Sequence, residues 1–206
     1  PIFITTRNDS LAAVINKLPE HRRQDLVFVQ NGMYQDLLKR AGVEQATLML
    51  IFFAIQKKGD TPIDGKGTVV TGRHAALVCE HLTSAGIDVK AIKKQDFQKV
   101  MFEKLLWNSV FGLFCRIYDS SVGELVRKHY AEMESLTNEL LEICESYSDV
   151  ELPDNIFESM CHYSMKVSSY RGDVKEWEWR NGWFLSQERS PIHLAFLQQA
   201  KLDFDI

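Results

Sequence analysis

The sequence predicts two pieces of different class, an α/β piece followed by an all-α piece. Two observations carry this. Short apolar, β-branched runs alternate with helical stretches through residue 95, whereas nothing after about residue 96 repeats with period two. The boundary is expected near 93–97, which gives units 1–95 and 96–206. A chain of 206 residues, 45% hydrophobic and 25% charged, can bury a core of this kind. A disordered tail, a collagen-like repeat and a disulfide miniprotein are excluded.

Residues 2–5 form a short β-branched run with strand character. Asn8-Asp9-Ser10 then offers helix caps ahead of Leu11, Val14, Ile15 and Leu18, which recur at helical spacing. Residues 26–29 are continuously apolar, as in a buried parallel strand, and end at the turn signal Asn31-Gly32. A short helix is expected over 33–41, closed by Gly42. A longer strand follows over 46–55, a Gly- and Pro-bearing loop or hairpin over 57–67, and a strand over 68–71. A helix over 74–85 stops at Gly86, and a last strand covers 87–92. The order is that of the second half of a doubly wound, Rossmann-like sheet.

Beyond the boundary, residues 97–117 read as one long helix. It is apolar almost all round from Leu105 to Phe114 and so is expected at the centre of a helical domain. Gly123-Glu124-Leu125 opens a second helix, carried on by Val126, Tyr130, Met133, Leu136, Leu140 and Ile143. Pro153-Asp154 starts a third over 156–170, and Arg171-Gly172-Asp173 breaks it. A stretch with Trp177, Trp179 and Trp183 follows. Pro191 starts the last helix, with Leu194, Phe196 and Leu197. Trp177 and Trp179 cannot both face one core on a helix, so one is expected at the surface, where it would suit a partner.

Composition narrows function by exclusion. A net charge of −4 leaves no electrostatic footprint for nucleic acid or an anionic membrane. No segment reaches the roughly 18 apolar residues of a membrane span, since residues 105–114 are interrupted by Asn108 and Ser109. Cys79, Cys115, Cys144 and Cys161 form no CxxC pair, which points to free thiols in an intracellular reducing compartment. The six histidines show no HExxH motif and no ligand spacing, so no metal site is expected.

Three sets of polar residues stand out. Lys104 and Asn108, four apart, share one face of the long apolar helix. A lysine facing a cleft beside an amide is suited to carbonyl reduction. Hydride addition leaves an alkoxide that needs a proton and a positive neighbour. A lysine reaching out to water is the plainer alternative. Asn31 sits at the carboxyl end of the 26–29 strand, where open α/β sheets bind ligands; an ordinary Asn-Gly turn is its alternative. Ser168, Ser169, Glu176, Glu178 and Asn181 cluster around the last helices, where solvated helix ends compete with a binding role.

These motifs stand in one order. Val29-Gln30-Asn31-Gly32-Met33 follows a strand, Glu103-Lys104-Leu105-Leu106-Trp107-Asn108 lies on the first long helix, and Gly123-Glu124-Leu125 starts the second. Ser168-Ser169 ends the third, and Glu176 precedes Asn181-Gly182-Trp183-Phe184. The set resembles the ketopantoate reductase family, within the 6-phosphogluconate-dehydrogenase-like group, over residues 1–190. Thr6-Arg7-Asn8-Asp9 and residues 28–33 are also similar to uncharacterised Rossmann-type relatives of plants and algae.

The resemblance implies a partial Rossmann-like sheet followed by a helical, ketopantoate-reductase-type C-terminal domain, and reduction of a 2-oxo acid with NADP(H). It implies Lys104 as catalytic acid with Asn108 beside it. Asn31 and Glu176 would contact the cofactor, and Ser169 and Asn181 the substrate. The sequence departs from the family in two ways. The Gly-x-Gly-x-x-Gly fingerprint that cradles a pyrophosphate is absent, and the chain opens at Pro1 inside a strand. A nucleotide-binding half before Pro1 is therefore expected for an enzyme. In addition, two amides of the family pocket are replaced by Gly112 and Val122, which argues against ketopantoate as substrate. Two function classes follow. One is an NAD(P)-dependent 2-oxo acid reductase acting on a small molecule. The other is a non-catalytic reductase-like scaffold that binds a protein partner or a larger complex, in the cytoplasm or a plastid.

Overall fold

The structure, a computed structural model, describes residues 1–54, 63–64 and 67–202. Its contacts divide the chain into two compact units. One is Pro1–Phe53 with Lys66–Met101, the other Ala54–Gly65 with Phe102–Ile206.

The first unit is α/β. Strands β1 (Ile2–Ile4), β2 (Leu26–Phe28) and β3 (Thr47–Leu50) are followed by β4 (Phe53–Ala54), β5 (Ile63–Asp64), β6 (Thr68–Thr71) and β7 (Val89–Ala91). One sheet has the order β1-β2-β3-β6-β7, and β4 pairs with β5 in a separate two-stranded sheet. Helices α1 (Leu11–Lys17), α2 (Gln35–Arg40) and α3 (Ala75–Ser84) make the crossovers that parallel pairing of β1 with β2, β2 with β3 and β6 with β7 requires. β3 and β6 are antiparallel, with Leu48 opposite Thr71. Val27, Met49 and Val70 pack with Ala75 and Val78 of α3. Every residue of β2, β3 and β6 is buried, so both faces of the central strands are covered.

Two expectations are corrected here, and a third lies largely outside the described residues. The strand expected over 46–55 is split. β3 ends at Leu50, and β4 belongs to the other sheet. The apolar run continues through the break, so hydrophobicity alone cannot mark it. The expected caps Asn8-Asp9-Ser10 form a 3-10 turn, and Ser10 makes no side-chain cap bond. The loop expected over 57–67 falls largely outside the described residues.

The second unit is helical. It comprises most of α4 (Lys94–Tyr118), then α5 (Val122–Lys128), α6 (Tyr130–Tyr147), α7 (Ile156–Lys166), α8 (Asn181–Gln187) and α9 (Pro191–Gln199). Leu105, Leu106, Val110, Phe111, Leu113 and Phe114 of α4 are at most 1% exposed, as expected of a central helix. Cys115, Cys144 and Cys161 are buried, and all four cysteines are free.

The single helix expected from 123 to 143 is interrupted at His129 (φ −128°), where α5 hands over to α6. The third helix stops at Lys166, not at 170. The reason is a competing set of partners. The carbonyls of Ser168 and Tyr170 accept the backbone N–H groups of Gly123 (3.1 Å) and Val122 (2.9 Å). These donors at the start of α5 have no partner within their own helix. Trp177 and Trp179 lie on a 3-10 turn and are both half-buried, so neither is the exposed residue expected.

Candidate active site

In the helical unit, α4 sets Lys104, Trp107, Asn108 and Phe111 along one face, at the three- and four-residue steps that share a helix stripe. Trp107 anchors this face. Its Nε1 donates to Ser164 Oγ of α7 (2.8 Å), and Ser164 in turn donates to the Met160 carbonyl (2.9 Å). Its ring stacks on Phe111 (5.7 Å) and meets Tyr163 edge-on (5.0 Å), with Tyr170 at 5.9 Å. Asn108 Nδ2 donates to the Lys104 carbonyl (2.9 Å).

Burial pushes the Lys104 ammonium down to about 7; repulsion from Arg180 adds to this and attraction to Glu176 opposes it. Glu176 takes a left-handed backbone (φ 49°) ahead of the Trp177–Trp179 turn. This places its carboxylate against Arg180 Nη2 at 2.5 Å, within one turn. Arg180 is buried (8% exposed), and burial lowers its pKa while Glu176 opposes the shift. The helical unit thus sets a lysine that loses its proton near neutrality beside a buried ion pair. Such a lysine can give or take a proton at neutral pH.

The remaining residues singled out in the sequence are placed differently. Asn181 is buried, with Oδ1 on His193 Nε2 (2.9 Å), so His193 carries its proton there. Burial lowers the His193 imidazole to about 4. Glu139 holds the start of α9 through the N–H groups of Ile192 (3.0 Å) and His193 (2.7 Å). Ser169 is exposed on the segment after α7. In the sheet unit, Asn31 follows β2 at its carboxyl end, and Gly32 (φ 85°) makes the turn. The Asn31 carbonyl accepts from Asn8 Nδ2 (2.7 Å), while Asn31 Oδ1 is shielded from solvent with no partner. Gln30 ties this loop down by donating to the carbonyls of Ile4 (2.7 Å) and Thr6 (2.9 Å).

Sequence reasoning did not single out Arg180, the anchoring role of Trp107, or Glu139 and His193 as partners in the network that holds Asn181. The Arg180 spacing to Glu176 was the available signal for the first. The others depend on contacts between helices. Among the described residues there is no His, Cys, Asp and Glu cluster able to hold a metal, and no helix long and apolar enough to cross a membrane.

Residues 96–185 match the family model of the ketopantoate reductase PanE/ApbA C-terminal domain. The helical region is a ketopantoate-reductase-type C-terminal domain. The solved ketopantoate reductases share the fold of the chain more widely. A 2-dehydropantoate 2-reductase from Methylococcus capsulatus is 12% identical with a TM-score of 0.72, over 98% of this chain and 74% of that one. A PanE/ApbA family ketopantoate reductase from Ralstonia eutropha is 17% identical with a TM-score of 0.68, over 96% of this chain and 74% of that one. D-mandelate dehydrogenase, solved with NADH, is 14% identical with a TM-score of 0.71, over 97% of this chain and 77% of that one. A comparison with curated protein sequences finds no match. The likeness to these structures is one of fold.

The ketopantoate-reductase-type domain has a physical reason for Gly112 and Val122. A Cβ on Gly112 would lie 2.7 Å from the Asp173 carbonyl oxygen, and one on Gly172 would lie 3.3 Å from the Gly112 Cα. Val122 is fully buried and its N–H is held by Tyr170. One segment, 168–173, therefore runs across both positions where the resemblance places pocket amides. Gly123, Glu124 and Leu125 are likewise explained by packing. A Cβ on Gly123 would meet Ser168 Cβ at 2.6 Å, Glu124 accepts the Ser121 N–H (3.0 Å) in a capping box, and Leu125 is fully buried.

Proposed function

We propose that the chain serves as a 2-oxo acid reductase using NADP(H), with Lys104 as the acid that protonates the alkoxide. The observation that carries this reading is a lysine on a buried helix whose ammonium is brought to about 7. Asn108 caps the Lys104 carbonyl and steadies that turn of α4. Glu176 tempers the repulsion between Lys104 and Arg180, so the lysine can hold a proton until substrate takes it. Ser169 and Asn181 are proposed for the substrate side on the resemblance alone.

Of the sheet unit, Asn31 is proposed for the cofactor role from its place at the carboxyl end of β2, where open α/β sheets bind ligands. Residues for a pyrophosphate cradle are not among the 206. When bound, the dinucleotide supplies the hydride. Gly112 and the crossing segment 168–173 favour a 2-oxo acid with an apolar side chain over ketopantoate. D-mandelate dehydrogenase, whose name specifies an aromatic 2-hydroxy acid, has the same fold.

The same segment favours a second reading, in which the reductase-like fold binds a protein partner instead of a substrate. NADPH and NADH consumption over a panel of 2-oxo acids separates the two. Turnover by the native chain and its loss in Lys104→Met is expected. Absence of turnover in the native chain selects the binding reading, and equal turnover in the variant overturns the role of Lys104.

A further inference from the structure

A cleft of about 710 Å³ opens in the sheet unit, at the end of the sheet opposite Asn31. Its walls come from three segments. The 3-10 turn before β2 gives His21, Arg23 and Gln24; the loop before β3 gives Gln45; and the turn after β6 gives Gly72 and Arg73. The parallel register of β2 with β3, and the antiparallel register of β3 with β6, bring these three segments to one end.

Three observations show what it could hold. First, the cleft carries two guanidinium groups against the single carboxylate of Glu20. Second, Arg73 is already oriented, since its Nη1 donates to Gln24 Oε1 (2.6 Å) and Gln24 donates back to the His21 carbonyl (3.4 Å). Third, Arg23 is half-buried, so its guanidinium is held at the wall of the cleft and does not swing free in solvent. Two guanidinium groups at one cleft can both donate charge-assisted hydrogen bonds to an oxyanion. Gly72 lets the turn after β6 pack closely against the start of β3 at this end of the sheet. With φ 106° and a would-be Cβ 2.8 Å from the Thr47 Cα, no larger residue fits there. The volume lies in the range that encloses a small-molecule ligand. A pair of guanidinium forks matches phosphate oxygens better than it matches a neutral or cationic group.

We propose that this cleft binds a phosphate-bearing small molecule of nucleotide size through Arg23 and Arg73. The site is independent of the reductase reading, because it involves neither Asn31 nor any residue of the helical unit.

The test is a titration of the full, ¹⁵N-labelled chain with ADP and, separately, with inorganic phosphate, followed by backbone and arginine Nε–H resonances. ADP should move the signals of Gln45, Gly72 and Arg23 Nε–H and bind more tightly than phosphate. Arg23→Gln and Arg73→Gln should each weaken it about tenfold, the scale of one charge-assisted contact. Arg73 is exposed, so its variant keeps the fold and the native amide pattern serves as control. Movement confined to Gly32 and its neighbours, or affinity unchanged in the double variant, overturns the site. Phosphate binding as tightly as ADP overturns the nucleotide-sized ligand.

Discussion

Val27, Met49, Val70 and Val78 hold the sheet unit together as aliphatic groups. In the helical unit, Gly112, Gly123 and Gly182 each lie where an added Cβ would come within 3 Å of another segment. The first kind of contact is set by buried area, and many apolar side chains of similar volume satisfy it. The second is set by backbone approach, and only glycine satisfies it. The match to the ketopantoate reductase domain over 96–185 covers the unit with three such approaches, against Gly67 and Gly72 in the sheet unit. The sheet unit keeps the fold with little left in the sequence to show it.

The largest effect expected concerns Lys104. If the helical unit is specified by function as well as packing, Lys104→Met should lower turnover of a 2-oxo acid by about 10²–10⁴-fold, the range for loss of a general acid. In the native chain, kcat/KM should fall as pH rises through about 7, where Lys104 loses its proton. Stability should move the other way. The unfolded lysine holds its proton up to about 10.5, so between pH 7 and that value the unfolded state binds more protons and stability rises with pH. The methionine variant should lose this rise, which urea unfolding at several pH values would show. A variant that keeps both profiles would break the link between the half-buried lysine and activity.

Next comes a direct contrast of the two units. Gly112→Asn restores the amide that the resemblance expects but drives its Cβ into the Asp173 carbonyl. It should cost about 3 kcal/mol. Met49→Leu in the sheet core conserves volume and should cost less than about 1.5 kcal/mol. Equal costs in urea unfolding would dissolve the distinction. Acid sharpens it further. His193 is neutral when folded, with its imidazole at about 4, and would ionise near 6.5 when unfolded. Its contribution is complete above 6.5 and is lost as pH falls toward 4, on the order of 3 kcal/mol. His193→Gln should flatten that acid limb, as thermal melts across the interval would show.

Much of this organisation was legible from residue order. The α/β-to-helical change and the central place of 105–114 follow from hydrophobic period, a property of single segments. What was hidden depends on where segments meet. The helical period runs straight through His129, so the break between α5 and α6 could not be read. The end of α7 at Lys166 is decided by the N–H groups of Val122 and Gly123, more than forty positions away. Of the site, Lys104 and Asn108 were visible because a polar pair on an apolar helix is anomalous. Arg180 was not, because an arginine four residues after a glutamate usually marks a solvated face, and here both partners are largely buried.

The smallest effect expected tests the same contrast at helix starts. Ser121 and Glu124 form a capping box on α5, with the Ser121 N–H and Oγ both on Glu124 Oε2, at 3.0 and 3.1 Å. Ser10, at the corresponding position of α1 in the sheet unit, makes no side-chain cap bond. Ser121→Ala should therefore cost about 1 kcal/mol, whereas Ser10→Ala removes no cap bond and should leave stability unchanged. Urea midpoints of the two variants decide it. A loss at Ser10 as large as that at Ser121 would mean that the sheet unit, too, depends on specific local bonds and not on buried area alone.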